Sequence, residues 1–124
     1  MEFKIDTKDT FSTITPVADT ISAKLTGELK EICGKMRQSG SHNFIIDLQN
    51  CYAIDAAVIE DLVTMHEESY AQDQSLVFTG INENVVSALK KDETDLLINI
   101  APQMIEAIDI ISMEILERDL LSEE

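Results

Sequence analysis

Few side chains in this sequence have both the type and the spacing that catalysis or metal binding requires. The candidates are two cysteines, two histidines and two aspartates that follow apolar segments: Cys33, Cys51, His42, His66, Asp47 and Asp55. The cysteines have neither CxxC spacing nor a histidine cluster beside them, which indicates free, buried thiols rather than a zinc or redox pair. No serine or cysteine is placed beside a histidine as a nucleophile, Asp47 has no third ligand in reach, and the glycine-rich phosphate-binding patterns are absent. We therefore expect no catalytic residue, no metal, no cofactor and no enzymatic activity.

The stretch "AIDAAVIEDL" (residues 53–62) marks a place where a strand gives way to a helix. Ligands and partners often bind at such junctions in α/β proteins, because side chains at strand ends and helix starts converge there. This junction offers Asp55 followed only by Ala56, Ala57 and Val58. We expect Asp55 to cap the helix by accepting hydrogen bonds from its first free amides.

Length and charge narrow the class of protein. At 124 residues, with 44% hydrophobic and 27% charged, the chain fits one folded domain spanning residues 1–124. Nine basic and 24 acidic residues give a formal charge of −15, which repels nucleic-acid phosphates and anionic lipids. Such a charge either keeps the protein soluble or attracts a basic partner. No stretch approaches the roughly 18 apolar residues of a membrane span, and the first residues do not resemble a signal peptide. We expect a cytoplasmic protein that neither binds nucleic acid nor inserts into a membrane.

Hydrophobic spacing predicts alternating strands and helices. Strands are predicted at residues 3–6, 11–16, 19–27, 44–48, 75–80 and 96–100, with 44–48 at the centre of the sheet. Helices are predicted within 28–38, where Gly34 keeps the helix short, after Asp55 for about 15 residues, after a cap at Asn82, and from near Pro102 to the end. The fold class is α/β: a mixed, mostly parallel sheet with amphipathic helices and an extended C-terminal helix, whose end overhangs the sheet.

In this order the chain resembles a STAS domain, the module of anti-sigma factor antagonists and of the cytoplasmic tails of sulfate transporters. The likeness lies in the order and spacing of five blocks: "KLTGEL" (24–29) as the end of a strand, "FIIDL" (44–48), "IDAAVIEDL" (54–62), "LVFTGIN" (76–82) and "LLINIAPQMIEAID" (96–109). It covers residues 11–112 and leaves 113–124 as a helical tail. The resemblance implies a STAS-like fold.

The resemblance also implies that the junction is a regulatory site. The family reads Asp-Ser-Ser-Gly or close to it there, and a partner kinase phosphorylates the first serine to abolish binding. Asp55 matches the aspartate, whereas Ala56 stands at the phosphorylated serine, with Ala57 and Val58 at the next two positions. The implied partner-binding residues are Asp55, Ala56, Ala57, Val58 and Glu60.

The implied function is a non-enzymatic protein-interaction module, an anti-sigma factor antagonist-like regulator that serine phosphorylation at the usual site cannot switch off. Lys30 in place of an aspartate and a short stretch from 27 to 44 alter a region that contacts the kinase in the family. Loss of the serine fits an antagonist always competent to dock, and also a scaffold whose switch has decayed. The alternative is a structural or dimerisation subunit of a larger, for example transport-associated, assembly that forms a homodimer through the C-terminal helix.

Overall fold

Strands and helices alternate along the chain in the computed structural model, which describes residues 1–122. The strands are β1 (Glu2–Thr7), β2 (Ser12–Val17), β3 (Thr20–Ile21), β4 (Phe44–Asp47), β5 (Ala53–Ile54), β6 (Leu76–Thr79) and β7 (Ile100–Ala101). The α-helices are α1 (Ala23–Gln38), α2 (Ile59–Ala71), α3 (Glu83–Lys91) and α4 (Met104–Ser122). Short 3₁₀ turns occupy Ala56–Val58 and Thr94–Leu96.

The main sheet has five strands in the order β1-β2-β4-β6-β7. β1 and β2 form an antiparallel hairpin at one edge, and the other pairs are parallel. β3 and β5 form a separate parallel ribbon of two strands. Parallel neighbours need a crossover, and the helices between the strands provide it. The predicted α/β class with a mixed, mostly parallel sheet is confirmed.

Helices cover the two faces of the sheet unequally. Phe44, Ile46 and Phe78 belong to the core that the sheet shares with α1, α2 and α3, whereas Ile45 and Val77 pack against α4 on the other face. Successive side chains of a strand point to opposite faces, so β4 and β6 are buried on both sides. The predictions of apolar strands at 44–48 and 75–80 are confirmed.

The region predicted as a strand at 19–27 is mostly helix. Only Thr20–Ile21 is extended, and the Ser22 hydroxyl then accepts a hydrogen bond from the Leu25 amide at 3.3 Å and caps α1. Buried Leu25, Leu29 and Cys33 recur every four residues, which is a helical period. The alternation of Ile21, Ala23 and Leu25 at every second residue concealed it. The prediction of a short helix within 28–38 is therefore also wrong, since α1 has 16 residues.

The strand predicted at 96–100 is displaced toward the C-terminus. Glu93 adopts a left-handed conformation (φ 58°), a 3₁₀ turn follows, and only Ile100–Ala101 pairs with β6. The apolar run was misleading because Leu96 and Leu97 are 75% and 57% exposed. The last helix starts two residues after Pro102, close to the prediction, and Asn82 caps α3 as predicted, accepting a hydrogen bond from the Asn84 amide at 2.9 Å.

Candidate functional site

The β3–β5 ribbon fixes the backbone just before the junction. The Asp55 amide donates to the Ile21 carbonyl at 3.0 Å, and the Tyr52 amide donates to the Asp19 carbonyl at 2.7 Å. These bonds hold the chain on both sides of β5. The residues that follow Ile54 are therefore presented by rigid backbone rather than by a free loop.

Asp55 does not cap the helix, so this prediction was wrong. Its carbonyl accepts from the Val58 amide at 3.0 Å and closes the 3₁₀ turn, while its side chain accepts no hydrogen bond from a helix amide among residues 1–122. The turn separates Asp55 from α2, which begins only at Ile59 and has 13 residues instead of about 15. Glu60 and Asp61 in the first turn of α2 supply the negative charge that favours a helix N-terminus.

Four of the five predicted partner-binding residues are exposed, and the fifth is buried beneath them. Asp55, Ala56, Ala57 and Glu60 are exposed. Val58 is only 3% exposed and packs in the main core. A partner that docks here would touch the four exposed residues, and Val58 would hold the turn against the sheet from below.

A surface cleft of about 570 Å³ opens beside Ala56. Its lining residues come from the 3₁₀ turn, from α2 and from the segment after α3: Ala56, Ile59, Glu60, Val63, Thr64, Glu67, Asp92, Thr94 and Leu97. Three of these side chains are carboxylates and none is basic, so the cleft is partly apolar with an acidic rim. Sequence reasoning missed the wall at 92–97 because the apolar run at 96–100, which includes Leu97, predicts a strand there.

The "KLTGEL" block does not occupy the strand end that the resemblance assigned to it, because residues 24–29 lie inside α1. Lys30 lies on the same helix and donates to Asp61 of α2 at 3.4 Å, and the buried Thr26 hydroxyl donates to the same carboxylate at 2.9 Å. The two bonds connect α1 to α2. Lys30 therefore has a contact within this chain, whereas the effect of Lys30 and of the short stretch from 27 to 44 on a kinase contact stays a prediction.

Burial shifts the pKa of two cysteines and of one histidine. Cys33 and Cys51 are free and buried, as predicted, and burial raises the pKa of each thiol to about 11. Burial lowers the pKa of His66, which stacks on Tyr70 with ring centroids 4.4 Å apart. Within residues 1–122 no three histidine, cysteine or carboxylate side chains are grouped as metal ligands would be.

Comparison of the backbone with solved structures decides the fold. A candidate anti-sigma factor antagonist from Thermotoga maritima superimposes with a TM-score of 0.73 at 14% identity, over 89% of this chain and 94% of that one. A Moorella thermoacetica RsbS variant with glutamate in place of a serine gives 0.72 at 17% identity, over 90% and 96%. The unphosphorylated anti-sigma factor antagonist SpoIIAA gives 0.68 at 12% identity, over 90% and 96%. The chain has the STAS fold.

The same STAS fold also occurs within a much larger protein. SLC26A9 matches 91% of this chain with a TM-score of 0.57 at 15% identity, but the match spans only 21% of SLC26A9. No family model matches the sequence, and no curated protein matches it. Among residues 1–122, no helix is long and apolar enough to span a bilayer.

Proposed function

We propose that residues 1–124 form a single STAS-like domain that acts as a non-enzymatic protein-interaction module, an anti-sigma factor antagonist-like regulator. Its protein partner docks on Asp55, Ala56, Ala57 and Glu60, with Val58 as the support beneath them. The observation that carries the proposal is the exposed junction, held by the β3–β5 ribbon and open to an adjacent cleft. Free buried thiols suit the reducing cytoplasm, where we place the protein.

Serine phosphorylation at the usual position does not regulate this docking, because Ala56 has no hydroxyl. A phosphate there would add about −1.5 to −2 charge and disrupt a docked interface by repulsion and desolvation. SpoIIAA is known in an unphosphorylated and a phosphorylated form. The present chain has an exposed turn at the junction and no hydroxyl at Ala56, so we propose that docking at the junction is constitutive.

The cleft indicates the chemistry of the partner surface. Glu60, Glu67 and Asp92 rim it, and Val63 and Leu97 supply apolar wall. An apolar partner segment with basic side chains would satisfy both features. Part of its affinity would then come from charge and would fall as salt is added.

Substitution of Ala56 by glutamate tests the proposal, because it adds a carboxylate at the junction, beside the acidic rim. The matched control is Ala71→Glu, which adds the same charge to an exposed position at the other end of α2. Tagged wild type, A56E and A71E are expressed at equal level in the organism of origin, and captured proteins are quantified by mass spectrometry. We expect a partner that wild type and A71E retain equally and A56E loses by at least tenfold. Equal recovery by A56E would remove the junction from the interface.

A second candidate function is that of a subunit held in a larger assembly through α4. An apolar outer surface on that helix favours it, and SLC26A9 carries the same fold as a small part of a larger chain. Light scattering of the purified chain and of the double variant Leu116→Ser/Leu120→Ser tests the homodimer form of this idea. A dimer that the double variant converts to monomer would support it, and a monomeric wild type would exclude the homodimer.

A further inference from the structure

The outer side of α4 carries a row of exposed apolar side chains that is interrupted once, at Asp109. Ile105, Met113, Leu116 and Leu120 are each between 55% and 66% exposed. With the exposed Asp109 they recur every three or four residues, so they lie on one face of the helix. This row, which we term the outer stripe, is about 22 Å long at 1.5 Å per residue.

The inner side of α4 is fixed to the rest of the molecule. Ala107 and Ile111 are fully buried against the sheet. Glu114 accepts hydrogen bonds from the Tyr70 hydroxyl at 2.6 Å and from the Asn99 side chain at 3.3 Å. These contacts hold the middle of the helix in place.

Arg118 extends the attachment to the last turns. It donates to Asn43 at 3.1 Å and to the Ser75 hydroxyl at 3.0 Å. The part of α4 beyond Ile111 is therefore bound to the domain as well. The outer stripe is a supported surface rather than the side of a frayed end.

On α4 the basic side chain faces the domain, whereas several acidic side chains face outward. Arg118 is the sole basic residue in the sequence of Met104–Ser122, and its guanidinium faces inward. Glu117 and Asp119 are exposed, and helical geometry places them on opposite sides of the stripe. The stripe is thus apolar with acidic borders and an acidic centre at Asp109, with no exposed basic side chain on α4 within the described residues.

We propose that the outer stripe binds an amphipathic helix of a partner protein whose apolar face is bordered by lysine and arginine. Apolar side chains then cover Leu116 and its neighbours, and the basic borders meet Glu117 and Asp119. A second copy of α4 is a poor occupant, because its own acidic borders would lie against these. This inference specifies the occupant of the surface used by the second candidate function and is independent of the junction.

Fluorescence anisotropy with synthetic peptides tests the inference on the full chain. The probe is a labelled 18-residue helix of leucine and lysine with one leucine face, and the control has the same residues in an order that makes no apolar face. We expect the amphipathic peptide to bind at least tenfold more tightly than the shuffled one. Equal binding would mean that net charge alone attracts the peptide, and the inference would be wrong.

Variants of the chain locate the binding. Leu116→Ser/Leu120→Ser should weaken binding of the amphipathic peptide at least tenfold. Ile5→Ser, a substitution of an exposed apolar residue on β1, should change that binding less than twofold. Asp109→Lys/Glu117→Lys should weaken it at least fivefold and favour a leucine–glutamate helix instead. Circular dichroism checks that each variant is folded.

Two outcomes separate this inference from the other proposals. A homodimer that Leu116→Ser/Leu120→Ser dissolves would show that a second copy occupies the stripe, which overturns the basic-helix proposal while supporting the assembly function. Ala56→Glu should leave peptide binding at the stripe unchanged. An effect of Ala56→Glu as large as that of the stripe variant would show that the peptide binds at the junction and would also overturn the inference.

Discussion

Gly80 offers a sharp test of how the strand ends are packed. It follows β6 directly and has φ +67°, in the region that only glycine occupies easily. A Cβ placed on it would lie 2.5 Å from Oδ1 of Asp47, the last residue of β4. The same Cβ would lie 3.3 Å from Cβ and N of Gln49, so rotation of the Asp47 side chain would not clear the space.

The Gly80→Ala substitution should lower the free energy of unfolding by ~2–5 kcal/mol, the sum of two costs. Left-handed backbone costs an L-residue about 1–2 kcal/mol. Asp47 is 8% exposed, and its carboxylate accepts from the Gln49 amide at 3.1 Å and from the Gln49 side chain at 2.8 Å. Displacement of that carboxylate weakens buried hydrogen bonds, which adds about 1–3 kcal/mol.

Urea denaturation followed by circular dichroism measures this cost. With a slope of about 2 kcal/mol/M, the urea midpoint of Gly80→Ala should fall by roughly 1–2.5 M. The matched control is Gly27→Ala, where an added Cβ would meet no atom of the described residues within 4 Å outside its own helix backbone. Gly27 lies inside α1, so alanine should raise stability by ~0.5–1 kcal/mol. A Gly80→Ala variant within 0.5 kcal/mol of wild type would refute the packing argument, and a destabilised Gly27→Ala would refute the helical assignment of α1.

Three further predictions concern a half-buried tyrosine and the two buried cysteines. Tyr70→Phe removes the hydroxyl that donates to Glu114 at 2.6 Å, so it should lower the free energy of unfolding by about 1–3 kcal/mol. Tyr52→Phe, on an exposed ring, should change the free energy of unfolding by less than about 0.5 kcal/mol. Equal urea midpoints for the two variants would contradict this prediction. Cys33 and Cys51 have pKa values of about 11 in the folded chain against 9.0 for a free thiol, so the unfolded chain loses these protons first and stability should fall as pH rises from about 9 toward about 11. At pH 8 a thiol reagent should modify both cysteines only after urea unfolds the chain, and rapid labelling of the folded protein would contradict their burial.

The central strands could be predicted from the sequence because the pattern has one interpretation there. Four consecutive apolar or buried positions in β4 and in β6 fit a strand covered on both faces, and both were found. Asn82 was recognisable as a cap because an asparagine before a short apolar helix has that local role. Such features depend on neighbouring residues and need no knowledge of the tertiary structure.

Two other segments could not be assigned because their patterns fit two structures. Ile21, Ala23 and Leu25 alternate as a strand would, yet Leu25 also begins the series of every fourth residue that α1 buries. The apolar run that includes Leu96 and Leu97 predicts a strand, but tertiary packing leaves both side chains exposed, and Leu97 lines the cleft. The resemblance to STAS domains predicts a partner-binding role for residues 55–60, which stays a prediction, whereas the opposite wall of the cleft at 92–97 depends on the turn that Glu93 starts.

The two proposed surfaces lie on opposite layers of the domain. The junction continues into α2, whose buried residues join the core on the side of Phe44 and Phe78, whereas α4 packs on the side of Ile45 and Val77. A partner helix on the outer stripe therefore leaves the junction open, so both surfaces can be occupied together. If a partner docks at the junction, a kinase acting at position 56 cannot release it, because Ala56 cannot accept a phosphate. If both proposals hold, the domain connects two partner proteins. Their binding would then be weakened by salt, which screens the acidic contacts, and by other proteins that compete for the outer stripe.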